Sequence, residues 1–519
     1  MNVRQKFLRY QDHKSEFWII FIIIGIKLML HLIADFNSGY DGDEVLYIDM
    51  GKHLAPGYVE SGPFIALLAA IQNLFHSHSL IVNHIFVHLA SSVIIFLCGV
   101  IVLKLRGGKT AVTLALVSIA FAPALGISHN SFQPVIFDQL FWVWSFYLLI
   151  SWSLSPEDKY LYQLGIMLAL GFLSKYTMVF LIGGLVLSAL FLNRQLFKKR
   201  ALQVAMLLFI FLIMPNIIWQ FRNDFPVVSH FKALYRMIAG ENSIMNLGKF
   251  IIGFNPFLLP VWFSGLFIAP FVRRFSEIKV ASVGMLLSVI LLAAAGGRFY
   301  YFCPAAICGF CLGAVYLEEM LTKSRRLSVA YFTIIVLSAC LLFPVGLPVF
   351  GLKSYVSILD LKEKPDGKIP LMLEARYTKD DWPALVSNVK NAYDKLSDEE
   401  RKSALILGSD YTQTAVINFY RDQYGLPPAF SFHGSYYTWI PDFSKGITVI
   451  AIGNTHLPGQ ADIWYYNFSK LFNYVEHDSY LFCRYARDDK NTTFHVYICR
   501  DMKIDSEEYR RSHKNRIFE

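Results

Sequence analysis

The chain has 519 residues, of which 55% are hydrophobic and 17% charged, against about 25% charged in ordinary soluble domains. Several apolar runs reach the roughly 20 residues that a hydrocarbon core requires, which excludes a soluble enzyme built on one large interior. The formal net charge is +9, but the basic residues gather in short loops between apolar runs, a mark of membrane topology and not of nucleic-acid binding.

About eleven spans are predicted, at 17–34, 80–103, 110–128, 134–153, 160–174, 176–192, 201–219, 250–271, 279–296, 300–321 and 327–350. The first is read as a retained span, because no small-residue cleavage pattern follows it. Arg4, Lys6, Arg9 and Lys14 place the N-terminal tail in the cytoplasm. Counting alternately, the inside loops are KLRGGK, SPEDK, NRQLFKKR, VRRFSEIK and LTKSRR, and all but SPEDK are clearly basic. An odd number of spans puts everything after about residue 351 outside. The expected organisation is a membrane domain over 1–350 and an outer, periplasmic domain over 351–519.

The unusual polar residues near the membrane fall on the outer face, which suggests one site on that side. Segment 35–79 is too polar at its start to span. Within it, DEVLYIDMGKHLA carries Leu46, Met50 and Leu54 at helical spacing. Asp43 is a candidate cap for that helix, and Glu44 suits its positive end. GPFIALLAAIQNLF follows and is too short for a span, so it is expected to lie along the interface. The crowded Asp41, Asp43 and Glu44 admit three readings: a cap with solvated charge, a general base for a hydroxyl or amine nucleophile, or hard ligands for a divalent metal. Glu60, in GYVESGP, approaches from the other end of the loop.

Further along, His129-Asn130 and Asp138 form a polar group facing outward; His53 and His129 read as hydrogen-bonded structural residues before they read as ligands. Lys175 interrupts two apolar runs in GFLSKYTMVF, either snorkelling or holding a phosphate at the membrane surface. Trp219 and Arg222 lie in PNIIWQFRNDFP, where Trp219 reads first as an interfacial belt residue and second as a sugar platform. Arg298 repeats the Lys175 position at the end of another span, after Gly296 and Gly297, and Tyr301 follows it closely.

After about residue 352 the chain turns polar. SALILGS and ITVIAIG read as buried strands, each followed by a helical segment, TQTAVINFYRDQYG and ADIWYYNFSKLF. That alternation predicts a small α/β domain. SYLFCRYA and TFHVYICR read as a late antiparallel pair that brings Cys483 and Cys499 onto neighbouring strands, a disulfide candidate in an outer compartment. GLPPAFSFHGSYYTWIP reads as a loop. The other five cysteines, Cys98, Cys303, Cys308, Cys311 and Cys340, lie in apolar runs and read as small buried thiols. Nucleotide-binding glycine patterns, zinc-helix motifs and serine elbows are missing.

In order, GYDGDEVLYIDMGKHLAPGYVESGP, SHNSFQPVIFDQLFW, GFLSKYTMVF, PNIIWQFRNDFP, GGRFYYFCPA and INFYRDQYGLPPAFSFHGSYYTW resemble the bacterial branch of the protein O-mannosyltransferase and lipid A aminoarabinose transferase superfamily, of GT-C fold. The resemblance covers nearly the whole chain. It implies a multi-pass glycosyltransferase of the bacterial inner membrane that takes a sugar from a polyprenyl-phosphate carrier. Transfer to a lipid A, envelope-glycan or protein acceptor would occur on the periplasmic face, with inversion. Asp43 matches the family's acidic base position, with Glu44 its neighbour, and Lys175 matches a carrier-phosphate position. Arg298 falls where members carry a basic residue before the aromatic pair. YVESGP and FQPVIFDQ depart from the family pattern: Ser61-Gly62 stands where many relatives have a proline-rich turn, and no acid directly follows Pro134. Those departures put the role of Glu60 in doubt, and any role of the second loop either passes to Asp138 or is absent. With no metal cage in the sequence, catalysis is expected to need no metal or other cofactor. The competing classes are a lipid-linked sugar transporter or flippase and a non-catalytic scaffold; neither internal repeats nor paired broken helices favour transport.

Overall fold

The computed structural model describes residues 13–238, 243–487 and 493–516. Arg4, Lys6 and Arg9 of the basic tail lie outside the described residues. Among the described residues, seven helices are long and apolar enough to cross a membrane: Lys14–Asn37, Ile85–Lys104, Pro134–Leu154, Arg200–Arg222, Arg273–Ala294, Phe299–Lys323 and Arg325–Gly346. The chain is a polytopic helical membrane protein. The other four predicted spans are helical but shorter or broken. Segment 110–128 divides into Lys109–Phe121 and Pro123–Ser128, since Pro123 has no amide to continue the ladder. Segments 160–174 and 176–192 form Asp158–Ser174 and Met178–Leu192. Segment 250–271 passes through Pro256–Leu258, Leu259–Phe263, a wide turn at Ser264–Ile268 and Ala269–Phe271, punctuated by prolines.

Small residues let these helices approach closely. A Cβ on Gly184 would collide with Ser288 and the Gly284 carbonyl, and one on Gly313 with the Val261 carbonyl. The outer loop forms the two predicted helices, Gly42–Met50 and Phe64–Asn73. Gly62 seats it against the end of Asp158–Ser174, with no room for a side chain beside the Leu173 carbonyl.

The C-terminal domain, expected to lie outside, is an α/β unit with a five-stranded sheet: β1 (Leu405–Gly408), β2 (Ala429–Phe430), β3 (Val449–Thr455), β4 (Phe472–Phe482) and β5 (Thr493–Met502). The order is β2-β1-β3-β5-β4. The first three strands are parallel, and β5 runs antiparallel to both neighbours. The helices Tyr411–Tyr424 and Ala461–Ser469 follow β1 and β3 as predicted. Asp410 caps the first through the Gln413 amide, and left-handed Gly425 (φ 61°) ends it. The segment read as a loop contains β2 and a short helical turn, Gly434–Trp439.

The disulfide expectation is overturned. Cys499 pairs with Val475 in the β4–β5 ladder, whereas Cys483 lies past Phe482, at the end where Phe482 faces Thr493. Neither cysteine is in a disulfide, and both are buried. The predicted strand SYLFCRYA begins too late, because β4 starts at Phe472, and this moves Cys483 off the ladder.

Candidate active site

The four acids of the outer helix Gly42–Met50 do four different things. Asp41, not Asp43, is the N-cap: its carboxylate accepts the Asp43 amide at 3.0 Å, and Glu44 closes the box by accepting the Asp41 amide at 2.7 Å. Glu44 is buried and also accepts from His84 Nε2 at 2.8 Å and the Phe132 amide at 2.5 Å. Asp49 accepts the Tyr436 hydroxyl at 2.6 Å and Asn418 Nδ2 at 3.1 Å, which docks the outer domain on this helix. Asp43 is half-buried and accepts the Tyr411 hydroxyl at 2.7 Å.

Around Asp43 stand groups from distant parts of the chain. Burial, then the carboxylates of Asp43 and Glu60, push the neighbouring Tyr47 phenol well up, and Tyr300 is also within electrostatic reach of it. Tyr300 and Tyr301 receive the Lys175 ammonium over their rings, at 4.9 and 4.7 Å. Lys175 is half-buried in extended backbone at the end of Asp158–Ser174, so it leaves the helix where its amine meets the two tyrosines. Arg298 is half-buried within reach of Tyr300 and of His230. Burial, then Arg298, lower the His230 imidazole to about 4, which keeps it neutral beside that cation. The outer domain closes the ring with His433, whose ring meets Tyr411 edge-on at 5.0 Å.

Glu60 is engaged with the outer domain: Oε1 accepts the Ser435 amide at 2.7 Å and Oε2 meets the Ser435 hydroxyl at 2.5 Å. Burial raises its carboxyl, against the lowering effect of those bonds. His53 stacks on Trp439 at 4.3 Å, and His129 Nε2 meets Gln139 Oε1 at 2.8 Å, in line with structural roles. Asp138 is buried, accepts the Thr177 hydroxyl at 3.0 Å and lies within electrostatic reach of Lys175. Trp219 packs over Gly57, while Arg222 is exposed at the end of its helix.

Beside Lys175 an apolar groove of about 720 Å³ opens between the helices Asp158–Ser174, Met178–Leu192, Arg200–Arg222 and Pro226–Ile238. Tyr176, Asn216 and Gln220 form its polar end, where the Tyr176 hydroxyl exchanges hydrogen bonds with both amide side chains. Apolar side chains, Phe172, Phe180 and Phe231 among them, make most of the rest, with Lys232 also in the lining.

A second cluster escaped the sequence reading. Asp35, His84 and His88 bring ligand-type atoms within 4.8 Å of one another. Their spacing is that of hydrogen bonds: Asp35 Oδ1 faces His84 Nδ1 and Oδ2 faces His88 Nε2, each at 2.8 Å. Both nitrogens of His84 face carboxylate oxygens, so both donate and the ring is an imidazolium. Asp35, His84 and Glu44 thereby form a buried ion-pair chain, while Nδ1 of His88 finds no hydrogen-bond partner among the described residues. His84 and His88, one helical turn apart at the start of an apolar span, were the signal that sequence reading passed over. Tyr47, Tyr300 and Tyr411 were missed because an isolated tyrosine in an aromatic-rich chain carries no positional signal.

Residues 61–219 match the family model described as dolichyl-phosphate-mannose-protein mannosyltransferase. That stretch includes Lys175 and stops short of Asp43 and Arg298. No curated protein sequence matches the chain. Among solved structures, ArnT from Cupriavidus metallidurans in the apo state superposes with a TM-score of 0.58 at 12% identity, covering 93% of this chain and 98% of that one. The same protein bound to undecaprenyl phosphate gives 0.57 at 12% identity, covering 92% and 97%. The resemblance to GT-C glycosyltransferases of the mannosyltransferase and aminoarabinose transferase type is borne out, by fold over nearly the whole chain and by family model over residues 61–219.

Proposed function

We propose that the protein is a membrane glycosyltransferase that moves a sugar from a polyprenyl-phosphate carrier to an acceptor on the outer, periplasmic face of a bacterial inner membrane. The observation that carries this reading is that Tyr47 lies within electrostatic reach of both Asp43 and Tyr300, that Tyr300 takes the Lys175 ammonium on its ring, and that Tyr176, next to Lys175 in the chain, lines an apolar groove among the spans. The lipid tail would lie in that groove. Undecaprenyl phosphate bound to the ArnT of Cupriavidus metallidurans, on the same fold, supports a carrier of this class.

The chemistry follows from the residues. Asp43 takes the proton of the acceptor hydroxyl or amine as that atom bonds to the anomeric carbon. The bond from that carbon to the carrier phosphate breaks, and its electron pair leaves on the phosphate. Attack from the face opposite the phosphate inverts the anomeric centre. Lys175 and Arg298, with the Tyr300 and Tyr301 hydroxyls, stabilise the leaving charge. Glu44 is unsuited to the base role because its carboxylate already serves three donors. No metal is required by this scheme, since cations of the chain face the phosphate.

Lipid extraction from cells lacking the protein tests the reading. An accumulated polyprenyl-phosphate sugar, together with one envelope component missing its decoration, is expected and would name donor and acceptor. An unaltered carrier pool and envelope would reject it. Build-up of the carrier on the cytoplasmic face alone would favour a flippase.

A further inference from the structure

The outer domain reaches the cleft at a defined point. Tyr411 is the first residue of the helix Tyr411–Tyr424, separated from the end of β1 by Ser409 and Asp410 alone. The root of that helix is fixed to the sheet: the capping Asp410 accepts Asn454 Nδ2, on β3, at 2.9 Å. Tyr411 therefore projects from the carboxyl ends of two adjacent parallel strands, where open α/β sheets commonly present functional groups. Its hydroxyl meets Asp43 Oδ1 at 2.7 Å, a contact between residues of different domains.

We propose that Tyr411 is a positioning residue for the transfer: by donating to Oδ1 it fixes the Asp43 carboxylate and leaves Oδ2 to take the acceptor proton, so that the outer domain completes the catalytic base. This inference rests on Asp43 being that base. The direction of the bond is set by chemistry, since a carboxylate offers only acceptors. The negative charge on Asp43, then burial, push the Tyr411 phenol well up and keep its proton in place. Docking of the two domains does not depend on this hydroxyl, because Asp49 with Tyr436 and Asn418, and Glu60 with Ser435, hold them together elsewhere. Removing it should disturb the geometry of the base and not the assembly of the cleft.

The test compares Tyr411→Phe, Asp43→Asn and the double variant, using as donor the carrier lipid that accumulates in cells lacking the protein. Tyr411→Phe should lower kcat by about 10- to 100-fold with donor KM and the unfolding midpoint unchanged. In the Asp43→Asn background the same change should lower the residual rate no further. Wild-type kcat in Tyr411→Phe, with Asp43→Asn inactive, would overturn this inference alone. An undiminished effect in the Asp43→Asn background would overturn it too, since Tyr411 would then act elsewhere. Wild-type turnover by Asp43→Asn would instead bring down the base assignment, and this inference with it.

Discussion

Two polar groups beside the membrane helices combine acids and cations, and they are finished differently. In the chain Asp35–His84–Glu44, every carboxylate oxygen meets a donor and the imidazolium lies between two acids. In the cleft, Lys175 rests on the faces of Tyr300 and Tyr301, and Asp43 receives a hydroxyl and not a cation. Neutralised charges hold a fold together and have nothing left for a substrate. A cation held by aromatic faces keeps its capacity for an incoming anion, and a carboxylate held by one hydroxyl keeps an oxygen for a proton. The adjacent residues Asp43 and Glu44 fall on opposite sides of this divide.

The comparison is sharpest where the two groups should fail in opposite ways. Asp43→Asn is expected to reduce turnover by about 10²- to 10⁴-fold and leave the unfolding midpoint alone. Turnover at the wild-type rate would erase the distinction. His84→Ala should do the reverse first: leaving two buried carboxylates without their shared cation costs about 3–5 kcal/mol, read by denaturant unfolding in detergent. Equal stability of variant and wild type would mean the chain is not an ion pair.

Lys175→Ala should leave the fold intact and raise donor KM by about 10- to 100-fold, the worth of one charged hydrogen bond. Unchanged donor affinity would remove its phosphate role. Glu60 lies between the two classes, since it is half-buried and hydrogen-bonded but meets no cation among the described residues. Its raised carboxyl means the folded state binds this proton more tightly than the unfolded state. That contribution to stability is present below the unfolded value, about 4.3, and is lost as pH rises through the folded one. Glu60→Gln should therefore raise the unfolding midpoint at pH 8 and leave it unchanged at pH 4. The smallest effect belongs to the cysteines: a reductant should not shift the midpoint, because Cys483 and Cys499 are apart.

Much of the scaffold was legible from apolar run length and turn residues. The membrane helices, the two outer-loop helices and the strands β1, β3 and β5 fall where periodicity puts them. Two-residue β2 has too little pattern to announce itself, and β4 alternates weakly because its side chains are largely exposed. In the site, Asp43, Lys175 and Arg298 stood out because ionisable groups at a membrane boundary are rare. The cap was misassigned between Asp41 and Asp43, a question that backbone dihedrals decide and composition does not. The cysteine pairing failed for a related reason, since strand register cannot be counted from residue types.

Taken alone, the order of amino acids determined that this chain lies in a membrane, that its rare charges gather at one face and that an α/β unit follows. Length, hydropathy and local period carry those facts, and each acts within a few turns of backbone. Only the tertiary structure decided which acid is neutralised and which is left open, because that depends on partners from distant segments, His84 for Glu44 and Tyr411 for Asp43. Adjacent carboxylates on one helix point in different directions, and the packing of the chain around them sets what each can do.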